Sequence, residues 1–245
     1  MAQIVLFNKP FNVLTQFRPD GARITLTQYI HDKSLRVAGR LDYDSEGLLL
    51  LTDDGQVNQQ LTHPKTKQYK TYVVQVDGIP TPTALQQLTN GVVLKDGLTL
   101  PAYAKLITEP DWLWPRNPPI RYRANLPTSW LEIKICEGKN RQVRRMTAAV
   151  GLPTLRLIRT HIGPFSLADL QPGQVKLLNS ADYPFELKLS PELTPSQRHK
   201  ASESRDRSVL KSGGGATSRS KRSASKDLDF RNKRRNTRPI GSRGK

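Results

Sequence analysis

GRLDYDSEGLLLLTDDG, residues 39–55, is the stretch that decides how this 245-residue chain folds. Asp42, Asp44 and Glu46 place three carboxylates within five residues, between the Gly39 turn and the run Leu48–Leu51. The chain as a whole carries 39 Lys+Arg against 21 Asp+Glu, so an acidic cluster is out of character, and the four leucines after it demand burial. Only some of the three carboxylates can then be simple surface charges. One reading is a loop in which Asp44 or Ser45 caps the turn into the leucine run and Asp42 pairs with Arg40. The other holds Asp42 in a cleft beside that run, where an ionised carboxylate acts as nucleophile or base.

Around this stretch, short apolar runs alternate with turn signals up to Lys188. Ile4-Val5-Leu6-Phe7 predicts a buried strand ended by Asn8-Lys9-Pro10. Residues 69–76 (YKTYVVQV) and 130–135 (WLEIKI) alternate and are rich in β-branched and aromatic residues, which predicts a largely antiparallel sheet with one face covered. Thr81 as N-cap, Pro82 at the first helical position and Asn90-Gly91 beyond the last turn predict a helix over 82–89. A second helix is predicted over 141–150, capped by Asn140, stopped by Gly151 and Pro153, and buried along Val143, Met146, Ala149 and Val150. Arg141, Arg144 and Arg145 then share one face at its N-terminus. Cations there oppose the helix dipole, so the pattern calls for a compensating anion, Asp42 or a phosphate; the plainer reading is a solvated basic face.

Charge divides the chain. From Pro191 onward 16 basic and 5 acidic residues leave +11, against +7 for the rest. That last segment is Gly/Ser- and Arg/Lys-rich, with too few large apolar residues to offset the entropy of ordering, so residues 189–245 are expected to be a disordered basic tail and 1–188 the folded domain. No apolar run exceeds the four leucines, far short of the roughly 20 residues that span a bilayer, and MAQIVLFNKPFNV lacks the pattern of a secretory signal. Cys136 is the sole cysteine, and the four histidines show no metal-ligand spacing. A cytoplasmic protein without metal or cofactor, monomeric by default, is the expectation.

Four ordered blocks carry a family resemblance. GRLDYDSEGLLLLTDDG resembles the catalytic motif of bacterial pseudouridine synthases, in the branch typified by the small-subunit rRNA uridine isomerase. LFNKPFNVLTQF resembles that branch's lysine-proline motif, HPKTKQYKTYVVQVDG its lysine-tyrosine strand, and EGKNRQVRRMTAAVGLPTLRLIRTHIG its arginine motif. The resemblance spans roughly residues 3 to 178. It implies an α+β fold, a bent, mainly antiparallel sheet with flanking helices and a central catalytic cleft; as a departure from the branch, the few residues before Lys9-Pro10 leave no room for the small N-terminal RNA-binding domain of many relatives, which is expected to be absent.

It also implies roles. Asp42 would be the catalytic carboxylate, Tyr72 would pack against the uracil and assist proton removal from C5, and Arg144 would pair with Asp42. Leu157 would wall the base. Lys9, Arg40, Lys139, Arg141, Arg145, Arg156 and Arg159 lie near the motifs and would contact phosphates. The insert from Trp112 to Arg121 interleaves aromatics, prolines and arginines, which suits stacking on unpaired bases, or else is a rigid surface loop packing its own tryptophans. The implied reaction breaks the N1–C1′ bond of uridine, turns the uracil and rejoins it through C5, with no redox change and no external group. The expected substrate is a large-subunit ribosomal RNA uridine; the alternatives are the same reaction on small-subunit rRNA or tRNA, or a non-catalytic rRNA-binding assembly factor.

Overall fold

The computed structural model describes residues 3–63, 68–120 and 126–178. The expected tail over 189–245, and Arg121 of the insert, lie outside the described residues. In chain order the elements are β1 (Ile4–Lys9), β2 (Val13–Leu14), β3 (Ile24–Thr25), β4 (Arg36–Ala38), β5 (Glu46–Thr52), α1 (Gly55–Thr62), β6 (Lys70–Asp77) and α2 (Pro82–Asn90). There follow β7 (Val93–Leu94), β8 (Gly97–Leu98), β9 (Tyr103–Ile107), β10 (Thr128–Ile135), α3 (Gln142–Ala149), β11 (Thr154–Ile162), β12 (Phe165–Ser166) and β13 (Val175–Leu178).

The leucine run sets the architecture. Successive side chains of a strand point to opposite faces, so a continuous apolar run needs a core on both sides. Leu49 and Leu51 of β5 pack with Phe7, Val74, Ile133 and Met146, while Leu48 and Leu50 pack with Ile4, Leu6, Val57 and Ile158. β5 is accordingly buried along its whole length, inside a nine-stranded sheet ordered β13-β1-β5-β11-β6-β10-β9, with β4 on β5 and β12 on β11. Every pairing in this sheet is antiparallel except β5 with β11, which run parallel through Ile158↔Glu46 and Arg159↔Gly47. The α+β expectation holds. The expected single covered face does not, because α2 and α3 cover one face and α1 part of the other.

α2 forms as its punctuation predicts: the Thr81 hydroxyl accepts from the Ala84 N–H, Pro82 opens the helix, and Gly91 ends it at φ +101°. α1 went unread, although Asp54 caps it by accepting from Gln56 and Val57, and Val57 and Leu61 share its buried face. α3 ends before Gly151 as expected but departs from expectation at its start. Asn140 makes no cap; Arg141 occupies that position in the left-handed region, at φ +46°, and the Gln142 side chain accepts from the Lys139 N–H instead. Gln142 and Thr147 join Val143 and Met146 in the buried stripe, whereas Ala149 is exposed.

Candidate active site

The stretch 39–47 is held from three sides. Its centre is a turn in which the Ser45 N–H donates to the Asp42 carbonyl at 3.1 Å. At its exit Gly47 adopts φ +100°, and a Cβ there would collide with the Arg159 carbonyl oxygen, so only glycine lets β5 and β11 approach at this point. At its entry the buried Arg159 guanidinium donates to the carbonyls of Gly39 (3.0 Å) and Arg40 (3.4 Å), and to Leu48 (2.8 Å) further on. Lys9 supports the turn from below: its ammonium donates to the carbonyls of Pro10, Val13 and Tyr43.

Above the turn lies a cavity of about 660 Å³. Asp42, Tyr72, Leu157 and Arg159 line it together, and Arg40, Lys139 and Arg141 also contribute to its wall. Tyr72 and Arg159 face each other across β6 and β11, and the tyrosine belongs to the core as well as to the cavity wall, 8% exposed. Leu157 is buried beside it. Burial pulls the Arg159 guanidinium below its ordinary value, with Tyr72 and Asp42 working the other way. Lys70, Cys136 and Glu137 also line the cavity, which sequence reasoning missed; only their adjacency to the tyrosine strand and the arginine motif hinted at it.

The arginines are dealt differently from expectation. Asp42 meets Arg141, at 3.8 Å, and the loop reading's Asp42–Arg40 pair is not found among the described residues. The expected Arg144–Asp42 ion pair is also not found there: Arg144 donates to the Asp44 carbonyl at 2.7 Å and lies 3.5 Å from its carboxylate. Arg145 turns away to bind Asp96 at 2.6 and 3.1 Å, because one helix face cannot aim three long side chains at one loop. The anion that compensates the cationic helix start is therefore mainly Asp44.

Lys9, Arg156 and Arg159 are corrected as phosphate contacts, since each is buried and spends its donors on the protein. Burial lowers the Lys9 ammonium to about 7, even though Glu46, Asp44 and Asp42 oppose the shift. The third carboxylate of the cluster, Glu46, is 1% exposed and forms a bidentate pair with Arg156 at 2.8 and 2.9 Å. Trp114 of the insert donates its indole N–H to the same carboxylate, so it is a core residue and not a base-stacking platform; Trp112 stays half exposed.

A turn that carries the partly exposed Asp42 carboxylate beside an arginine, on a cavity it shares with a tyrosine and a leucine, suits chemistry at an anomeric carbon next to a flat base. The family model described as RNA pseudouridylate synthase matches residues 3–149. The chain belongs to that family and is a pseudouridine synthase enzyme.

Among curated proteins, one from Vibrio parahaemolyticus called ribosomal large subunit pseudouridine synthase E is 56% identical over 174 residues, 71% of this chain and 73% of the relative. A protein of the same name from Xanthomonas campestris is 56% identical over 173 residues, 70% of this chain and 92% of the relative. A solved structure titled "Crystal structure of pseudouridylate synthase" aligns at 30% identity and a TM-score of 0.60, over 74% of this chain and 72% of that one. No helix among the described residues is long and apolar enough to cross a membrane.

Proposed function

We propose that this enzyme isomerises a uridine of large-subunit ribosomal RNA to pseudouridine, with Asp42 as the catalytic carboxylate. The observation that carries the reading is the convergence of Asp42, Tyr72, Leu157 and Arg159 on one cavity from separate parts of the chain. The large-subunit address is supported by the names of the relatives at 56% identity.

In this reading the Asp42 carboxylate either attacks C1′, displacing the uracil through N1, or removes the C2′ proton to leave a glycal. Both routes turn the freed base and close the C5–C1′ bond, which displaces the Asp42 carboxylate from C1′ in the first route and returns the proton from Asp42 to C2′ in the second. C5 then gives up its proton while N1 gains one, so no external group is consumed. Arg141 stands 3.8 Å from Asp42, and Arg144 acts one step removed, holding Asp44 and the main chain of the turn. Tyr72 and Leu157 flank the uracil. Arg40, Lys139 and Arg141 meet phosphates. To reach the cavity the nucleotide must leave its stack, at a cost of a few kcal/mol offset by these contacts.

Residues 1–188 act as a monomeric catalytic domain of the branch typified by the small-subunit rRNA enzyme, in the cytoplasm. The basic segment 189–245 adds nonspecific affinity for RNA, so truncating it should lower the salt slope of binding; an unchanged slope would contradict that role. The main test uses purified protein and large-subunit rRNA transcripts. Wild type forms pseudouridine, and Asp42→Asn forms none while binding RNA within about tenfold of wild type, because the substitution removes charge at the reacting atoms but few RNA contacts.

A further inference from the structure

We propose that Trp114 is a positioning residue for the turn that carries Asp42, acting through Glu46; this rests on the reading of Asp42 as the catalytic carboxylate. Two neighbouring tryptophans of the insert behave differently. Trp112 is 48% exposed and Trp114 only 9%, with ring centroids 5.7 Å apart. A buried indole needs an acceptor for its N–H, and Trp114 finds one in Glu46 Oε1 at 2.8 Å. Arg156, which binds both oxygens of Glu46, also donates to the Trp114 carbonyl at 2.9 Å. Trp114 therefore touches the buried pair twice, giving a donor to the acid and an acceptor to the base.

The pair sits where such contacts matter. Glu46 directly follows the turn closed by the Ser45 N–H on the Asp42 carbonyl, and Gly47 beyond it is pressed against the Arg159 main chain. A shift of the Glu46 side chain cannot pass into β5, which is buried and paired on both sides, so it passes back into the turn. The insert also grips the approach to the turn. The Arg116 guanidinium lies 4.2 Å over the Phe11 ring, two residues after Lys9, and donates to the Leu155 carbonyl at 3.3 Å. A loop that merely covered the surface would need no polar link into the catalytic strand.

Trp114→Phe keeps an aromatic ring in the core and deletes the donor. Assayed well below its melting temperature, it should lose about tenfold in kcat for pseudouridine formation with KM within about twofold, since small misplacements of a reacting group cost rate and not docking. Trp114→His returns a ring N–H and should recover most of that loss. If Trp114→Phe does not fold, Arg156→Lys replaces it, giving up one of two parallel bonds to Glu46 with the same expected split. Unchanged kcat, a loss carried by KM, or a loss that histidine does not recover would overturn the proposal. Asp42→Asn run alongside separates the two claims: turnover by that variant sinks the reading of Asp42, whereas an inactive Asp42→Asn beside a fully active Trp114→Phe sinks only the role of Trp114.

Discussion

Arg141 grips the Asp44 carboxylate with both terminal nitrogens, at 2.8 and 2.7 Å, and from that hold its Nη1 stands 3.8 Å from Asp42. Asp44 thus anchors the cation that faces the candidate catalytic carboxylate. Without that anchor a half-exposed arginine would be free to swing into solvent.

The Asp44 pairing has a pH signature. Burial works to raise the Asp44 carboxyl, but the Arg141 hydrogen bond and the charges of Arg144 and Arg141 outweigh it and hold the group below the ordinary carboxylate value. A depressed carboxylate contributes stability that is fully present above its unfolded value, about 4, and is lost as pH falls through the folded value. Asp44→Asn should therefore melt below wild type at pH 7, with the gap closing as pH drops below about 4. Its kcat at pH 7 should fall about tenfold, because Arg141 loses its hold. Calorimetry across this range checks the first claim, and a gap independent of pH would contradict it.

Lys9 titrates in the opposite sense. Its folded value of about 7 lies well below the unfolded value of about 10.4, so the folded state carries the full penalty of burying the ammonium below pH 7 and sheds it as pH rises toward 10. Relative to Lys9→Met, wild type should gain stability between pH 7 and pH 10 by up to about 1.4 kcal/mol per pH unit. Urea unfolding of both proteins at pH 7 and 9 measures the slope; parallel curves would show that Lys9 is not held near neutrality.

Gly47 tests the close approach of β5 and β11. Gly47→Ala places a methyl group on the Arg159 carbonyl at a backbone angle that L side chains rarely adopt. It should cost about 3 kcal/mol or more in urea unfolding. A variant as stable as wild type would mean that the two strands can separate here without consequence.

Asp42, Tyr72 and Leu157 were legible as candidates for one site, because each sits in a block whose residue order survives without any knowledge of contacts. Ile4–Phe7 likewise announced a buried strand, and Thr81-Pro82 with Asn90-Gly91 announced α2, since capping is a local matter. What stayed hidden depends on partners far away in sequence. Glu46 and Arg156 are 110 residues apart, and an arginine or lysine read alone is taken as exposed, so the burial of Lys9, Arg156 and Arg159 could not be foreseen. The resemblance matched Arg144 to Asp42, whereas the side chain reaches Asp44, two residues further along the same turn, a choice that spacing along the helix does not make. α1 was different: its Asp54 cap and the Val57–Leu61 spacing were local signals that could have been read.

The most direct test of the account maps pseudouridines in the ribosomal RNA of cells that lack this protein and carry either the wild-type gene or Asp42→Asn. The account predicts one large-subunit uridine converted with wild type and left unmodified with Asp42→Asn, at equal protein levels. Conversion of that uridine by Asp42→Asn, or no difference between cells with and without the wild-type protein, would contradict it.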